Sequence, residues 1–137
     1  MANPLEKILV YLPNSYPIAS ESFWAAALGN ELYRLENVPF FAYGLNFKDV
    51  VLATPNRGDP RPEIRKVVTP SGHKTCRVLF SDATSRSKQS ELLDQLAPWG
   101  GLFERANDSY VAIDIQPDGD YAAIYSQLER YAVQQYL

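Results

Sequence analysis

The sequence predicts an α+β fold: a small N-terminal antiparallel β-structure, barrel-like when closed, packed with a C-terminal split βαββα layer. Three observations lead there. Apolar residues alternate in short runs bounded by turn signals through the first half. Two later segments carry apolar residues at helical spacing. Finally, 137 residues with 46% hydrophobic content suffice for a self-supporting core. One compact domain is expected over 1–137, mainly β in 1–72 and α/β in 73–137.

Lys7–Leu12 reads as the first strand, apolar on both faces and therefore central, ended by Pro13, Asn14 and Pro17. Residues 21–36 admit two readings. Glu21, the alanines Ala25 to Ala27 and Leu28 favour helix, whereas Gly29-Asn30 between two apolar runs is a hairpin signal. A mid-helix glycine would cost about 1 kcal/mol, and Phe23, Trp24, Tyr33 and Leu35 suit a pleated surface. The hairpin, Ser22–Leu28 with Glu31–Glu36, is therefore preferred. Asp49–Ala53 is a further short strand. Thr54–Pro62 contains Pro55, Pro60 and Pro62 and is expected to be an exposed loop. Glu63–Val68 and Lys74–Phe80 are expected to pair as a second hairpin through Pro70, Ser71 and Gly72, with Cys76, Val78 and Phe80 on the core face.

In the second half, Ser87 is placed to cap a short helix with Leu92, Leu93 and Leu96 as its apolar stripe, stopped by Pro98 and Gly100-Gly101. Leu102–Glu104 and Tyr110–Ile115 read as strands, with Val111, Ile113 and Ile115 inward. After Pro117-Asp118-Gly119, the residues Tyr121, Ile124, Tyr125, Leu128, Tyr131 and Ala132 recur at helical spacing, and Asp118 or Asp120 sits where an acid favours a helix N-terminus. A full ferredoxin-like unit would add a strand after this helix, and none is expected.

Charge is uneven. The net charge is −3, but residues 1–81 carry 9 Lys/Arg against 7 Asp/Glu, and residues 82–137 carry 4 against 9. The basic stretch from Arg57 to Arg77 has no aromatic between Phe47 and Phe80, which argues against a nucleic-acid interface. No apolar run approaches the roughly 20 residues of a membrane span, and the first residues lack the pattern of a secretory signal. Cys76 is alone and cannot form an internal disulfide, so the cytoplasm is the expected setting.

Reactive constellations are sparse. His73 is the single histidine; catalysis there would need Ser71 or Cys76 as nucleophile and Asp49 as orienting group, and none has supporting context. With one His and one Cys, no metal site is expected, and Asp114, Asp118 and Asp120 miss the spacing of a calcium loop. Gly100-Gly101 lacks the lysine of a phosphate loop, and no cofactor is expected. Arg57-Gly58-Asp59 reads as a turn rather than an adhesion motif. The 9 tyrosines admit two readings: an interface, where an apolar body with a polar tip is favoured, or, for Tyr121, Tyr125, Tyr131 and Tyr136 on the last helix, packing on the sheet.

Several blocks carry a family resemblance: Glu21-Ser22-x-Trp24-Ala25; Tyr33-Arg34-Leu35-Glu36-Asn37-Val38-Pro39-Phe40-Phe41-Ala42-Tyr43-Gly44; Asp49-Val50-Val51; and Ser71-Gly72-His73 with Arg77 downstream. Over roughly residues 6–130 the chain resembles the bacterial family called domain of unknown function 4265. The resemblance supports the hairpin at 21–36 and implies a bacterial cytoplasmic setting, but no activity. By analogy with small acidic bacterial proteins, the expected function is non-enzymatic protein binding. Its most concrete form is an immunity protein that neutralises a toxin encoded nearby in a stoichiometric complex. Asp114, Asp118, Asp120 and Tyr121 are the expected partner-facing residues, set against a cationic cleft. The alternative is a small-molecule or nucleic-acid binder using Trp24, Tyr43, His73 and Arg77. An enzyme of unknown reaction ranks third.

Overall fold

The computed structural model describes residues 3–13, 17–56 and 58–137. Its contacts divide the chain into two compact units, Met1–His73 and Lys74–Leu137.

The first unit is a closed barrel of five strands in sequence order: β1 (Leu5–Tyr11), β2 (Ser20–Gly29), β3 (Leu32–Leu35), β4 (Val50–Asn56) and β5 (Asp59–Thr69). Neighbours pair antiparallel, and a parallel pairing of β1 with β5 at Leu9 and Glu63 closes the ring. The hairpin reading of residues 21–36 holds. Gly29, Asn30 and Glu31 all have positive φ, which glycine adopts freely and asparagine tolerates. The alanines that favoured a helix serve the barrel instead. Ala25 and Ala53 are buried beside Phe23, Ile8, Leu35 and Val51, so small and large side chains share a narrow interior.

Two expectations for this unit are corrected. Thr54–Pro62 is not a loop, because β4 and β5 pair through Asn56 and Asp59. Pro55 falls where the register shifts, and Pro60 and Pro62 precede the parallel contact at Glu63; such positions tolerate a missing N–H. Arg57, Asn14 and their segments lie outside the described residues, so the Arg57-Gly58-Asp59 tripeptide is described only in its last two members. Nor do residues 63–68 pair with 74–80: β5 joins β4 and β1, whereas the following strand belongs to another sheet.

The second unit runs β6 (Lys74–Leu79), α1 (Arg86–Asp94), a 3-10 turn (Ala97–Trp99), β7 (Gly101–Arg105), β8 (Tyr110–Ile115) and α2 (Tyr121–Val133). Its antiparallel sheet has the order β6-β8-β7. One face carries Val78, Val111, Ile113 and Ile115, onto which Leu92, Leu93 and Leu96 pack with Ile124, Leu128 and Tyr131 of α2. The cap of α1 is Ser85 rather than Ser87; its hydroxyl accepts from the Lys88 N–H. Asp120 caps α2, accepting from the Ala123 N–H at 3.0 Å.

Candidate functional site

Polar side chains of the first unit serve as anchors for main chain. Glu21, on β2, accepts from the Phe40 N–H at 2.6 Å with one oxygen and from Phe41 and Ala42 at 3.1 and 2.9 Å with the other. Asn37 accepts from the Trp24 N–H at 2.7 Å. Asp49 is buried and accepts from the Asn46 and Ser71 N–H groups, each within 3 Å. Glu36 pairs with Lys48 and with Arg34. Partial burial opposes its ionisation, but the Lys48 and Arg34 hydrogen bonds prevail and hold its carboxyl below the ordinary value. The long segment between β3 and β4 is thus fixed by side chains rather than by a ladder.

These bonds also use the groups considered for nucleophilic chemistry. The Ser71 hydroxyl donates to the Phe47 carbonyl at 2.6 Å and accepts from the His73 main-chain N–H. The His73 ring is partly buried and stands edge-on to Phe47 with centroids 5.5 Å apart. Cys76 is half-buried, and burial pushes its thiol up, away from the reactive thiolate. Among the described residues no group of three or more His, Cys, Asp or Glu is arranged to hold a metal ion.

In the second unit the structure brings Asp118, Asp120 and Tyr121 together at the start of α2. Gly100 and Gly119 make this possible. A Cβ on Gly100 would lie 2.9 Å from the Gly119 Cα, and one on Gly119 would lie 2.9 Å from the Trp99 carbonyl. The turn can therefore lie against the 3-10 segment, held by Asp120 N–H to Trp99 O at 2.8 Å and Gln116 N–H to Gly100 O at 3.0 Å. Between them is an open hollow of about 330 Å³ rimmed by Asp118, Asp120 and Trp99. Both carboxylates are exposed. Beside them Tyr121 stacks on Tyr125, centroids 6.0 Å apart, with both rings about half exposed and Lys74 approaching Tyr121. Tyr125 was absent from the expected set, although its spacing of four from Tyr121 on one helix carried the signal.

Asp114 departs from the expectation. It lies on β8 between Thr75 and Leu102, on the sheet face opposite Ile113, and is 3% exposed, so it cannot share a surface with Asp118 and Asp120. Strand alternation places Asp114 on the opposite face from Ile113 and Ile115 but does not reveal whether that face is covered. The alternative ligand set, Trp24, Tyr43, His73 and Arg77, is spread over both units. Tyr43 is 85% exposed at the edge of a cleft in the first unit that neither Trp24 nor His73 lines. Trp24 lies on β2 under the Lys7 ammonium, and Arg77 is on β6 in the second unit. No helix among the described residues is long and apolar enough to cross a membrane.

Barrel, anchored segment and three-stranded sheet define a two-unit α+β protein. A family model described as Domain of unknown function (DUF4265) matches residues 21–137, and the chain belongs to that family. It is similar in fold to a hypothetical protein from Neisseria gonorrhoeae, with a TM-score of 0.79 at 20% identity over 99% of this chain and 92% of the other. No curated protein matches the sequence.

Proposed function

We propose that this protein binds another protein through the start of α2, and that it acts as an immunity protein neutralising a bacterial toxin by occupying it. The observation that supports this reading is the half-exposed Tyr121–Tyr125 stack flanked by Asp118 and Asp120. Stacked tyrosines offer rigid apolar area with polar tips, a recurrent anchor of interfaces. The carboxylates add a field that speeds encounter with a cationic surface, and residues 74–137 carry 6 Lys/Arg against 9 Asp/Glu.

The test is titration against the product of the adjacent reading frame, following residual toxic activity. A 1:1 endpoint is expected. Asp118→Lys with Asp120→Asn, the latter keeping the helix cap, should slow association about tenfold at low salt and less at high salt. Tyr125→Ala should accelerate dissociation. Complete silencing at a small fraction of one equivalent would replace blocking by turnover, and an absence of binding would remove the toxin reading.

A further inference from the structure

The first unit contains a cleft where the barrel wall parts. The parallel pairing that closes the ring is confined to Leu9 and Glu63. Beyond it β1 continues through Val10 and Tyr11 and β5 through Ile64 to Val67, and these residues line opposite sides of an open cavity of about 400 Å³. The segment Phe41–Leu45 also lines the cavity. Buried Ala42, Leu45, Leu12 and Ile64 give it an apolar lining. This lining is fixed in advance, because the Glu21 carboxylate holds Phe41 and Ala42 by their N–H groups.

The rim is cationic because of a bulge. Lys66 pairs with Leu52 and Ile64 with Ala53, so Arg65 is an extra residue in β5. Consecutive strand residues ordinarily point to opposite faces, but here Arg65 and Lys66 are both exposed and both line the cleft. Arg65 is steadied by Thr54 Oγ1 at 2.8 Å and Glu63 at 3.3 Å, whereas Lys66 makes no ion pair among the described residues. Two phenols complete the rim. Tyr43 is exposed, and Tyr11 accepts from Asn56 Nδ2 at 3.4 Å, which leaves its own proton to donate.

We infer that this cleft binds a small organic anion with an apolar body, a medium-chain or aryl carboxylate. Its apolar part would rest on Ala42, Leu45 and Ile64, with its charge met by Lys66 and Arg65. The cavity has the size of known small-ligand sites, and its composition follows their pattern of an apolar lining with a few convergent polar groups. Its residues all belong to the first unit, so the inference stands apart from the α2 surface.

Binding is tested on the intact protein with anilinonaphthalene sulfonate, an apolar anion whose emission rises on burial. Saturable 1:1 binding is expected, with octanoate displacing the probe at least tenfold more effectively than octanol. Lys66→Glu should weaken the probe about tenfold, while Lys88→Glu, the same charge change in the second unit, leaves it unaltered. Circular dichroism and thermal unfolding of each variant confirm that the probe reports a folded protein. In the unsubstituted protein, octanoate should shift the amide resonances of Gly44, Leu45 and Lys66 ahead of those in the second unit. Absence of saturable binding, equal displacement by octanol, equal loss in both lysine variants, or shifts centred elsewhere would each overturn the assignment.

Discussion

Ala42 donates its main-chain N–H to Glu21 Oε1 at 2.9 Å across 21 positions of sequence, fastening the segment between β3 and β4 to β2. Phe40 and Phe41 donate to the same carboxylate, so one side chain satisfies three consecutive amides. Hydrogen bonds to an ionised acceptor each contribute about 1.5–3 kcal/mol, and partly buried amides left unpaired add a penalty. Glu21→Ala should therefore destabilise the fold by about 2–4 kcal/mol in urea unfolding, and Glu21→Gln, which retains one acceptor oxygen, by less. Equal stability of both variants and the parent would show that water replaces the carboxylate.

Ile113 is fully buried on the core face of β8, across from Cys76 and Phe103. Ile113→Asp would place an unpaired carboxylate there, costing on the order of several kcal/mol, a large part of a small protein's total stability. Little cooperative folding should remain in calorimetry. A near-normal melting curve would mean that the register of β8 is wrong.

Tyr131 joins the two helices of the second unit: its hydroxyl lies 2.9 Å from the Leu92 carbonyl and 2.7 Å from Gln95 Oε1. Burial pushes this phenol above its ordinary value. Tyr131→Phe keeps the packing and loses the bond, so about 1–2 kcal/mol of stability should go. The raised value of the folded state gives the sign of the pH effect. The contribution of Tyr131 is present below the ordinary tyrosine range and lost as pH rises through the folded value, so the parent and variant should converge under strongly alkaline conditions.

Acid should act through Glu36 with the opposite sign. Its carboxyl, partly buried but bonded by Lys48 and Arg34, is held below 4.5 in the folded chain. Its stabilisation is thus present above about pH 4.5 and is lost as pH falls through the folded value. The melting temperature of Glu36→Gln should lie below that of the parent at neutral pH and approach it as pH falls through the lowered folded value. Asp59, lowered to about 2 by Arg61, adds a loss in the same direction between pH 4 and 2. A difference between the Glu36 variant and its parent that stays constant with pH would show that packing, not charge, carries the role of Glu36.

The sequence by itself determined the local features. The Gly29-Asn30 signal fixed the β2–β3 hairpin, because a chain reversal with positive φ favours those residues. The alternation of Val111, Ile113 and Ile115 fixed a sheet face, and the helical spacing from Tyr121 to Ala132 marked α2. Of that helical pattern only Ile124, Leu128 and Tyr131 are buried, while Tyr121, Tyr125 and Ala132 are exposed. Only the tertiary structure decided which strands pair. The segments 63–68 and 74–80 looked like a hairpin, yet they enter different sheets, because strand pairing depends on distant partners whose burial no local pattern encodes. For the same reason the alternating pattern showed that Asp114 faces away from Ile113 but not that it is buried. It likewise gave no sign of the bulge at Arg65, a slip of one residue that appears only once β5 is laid against β4.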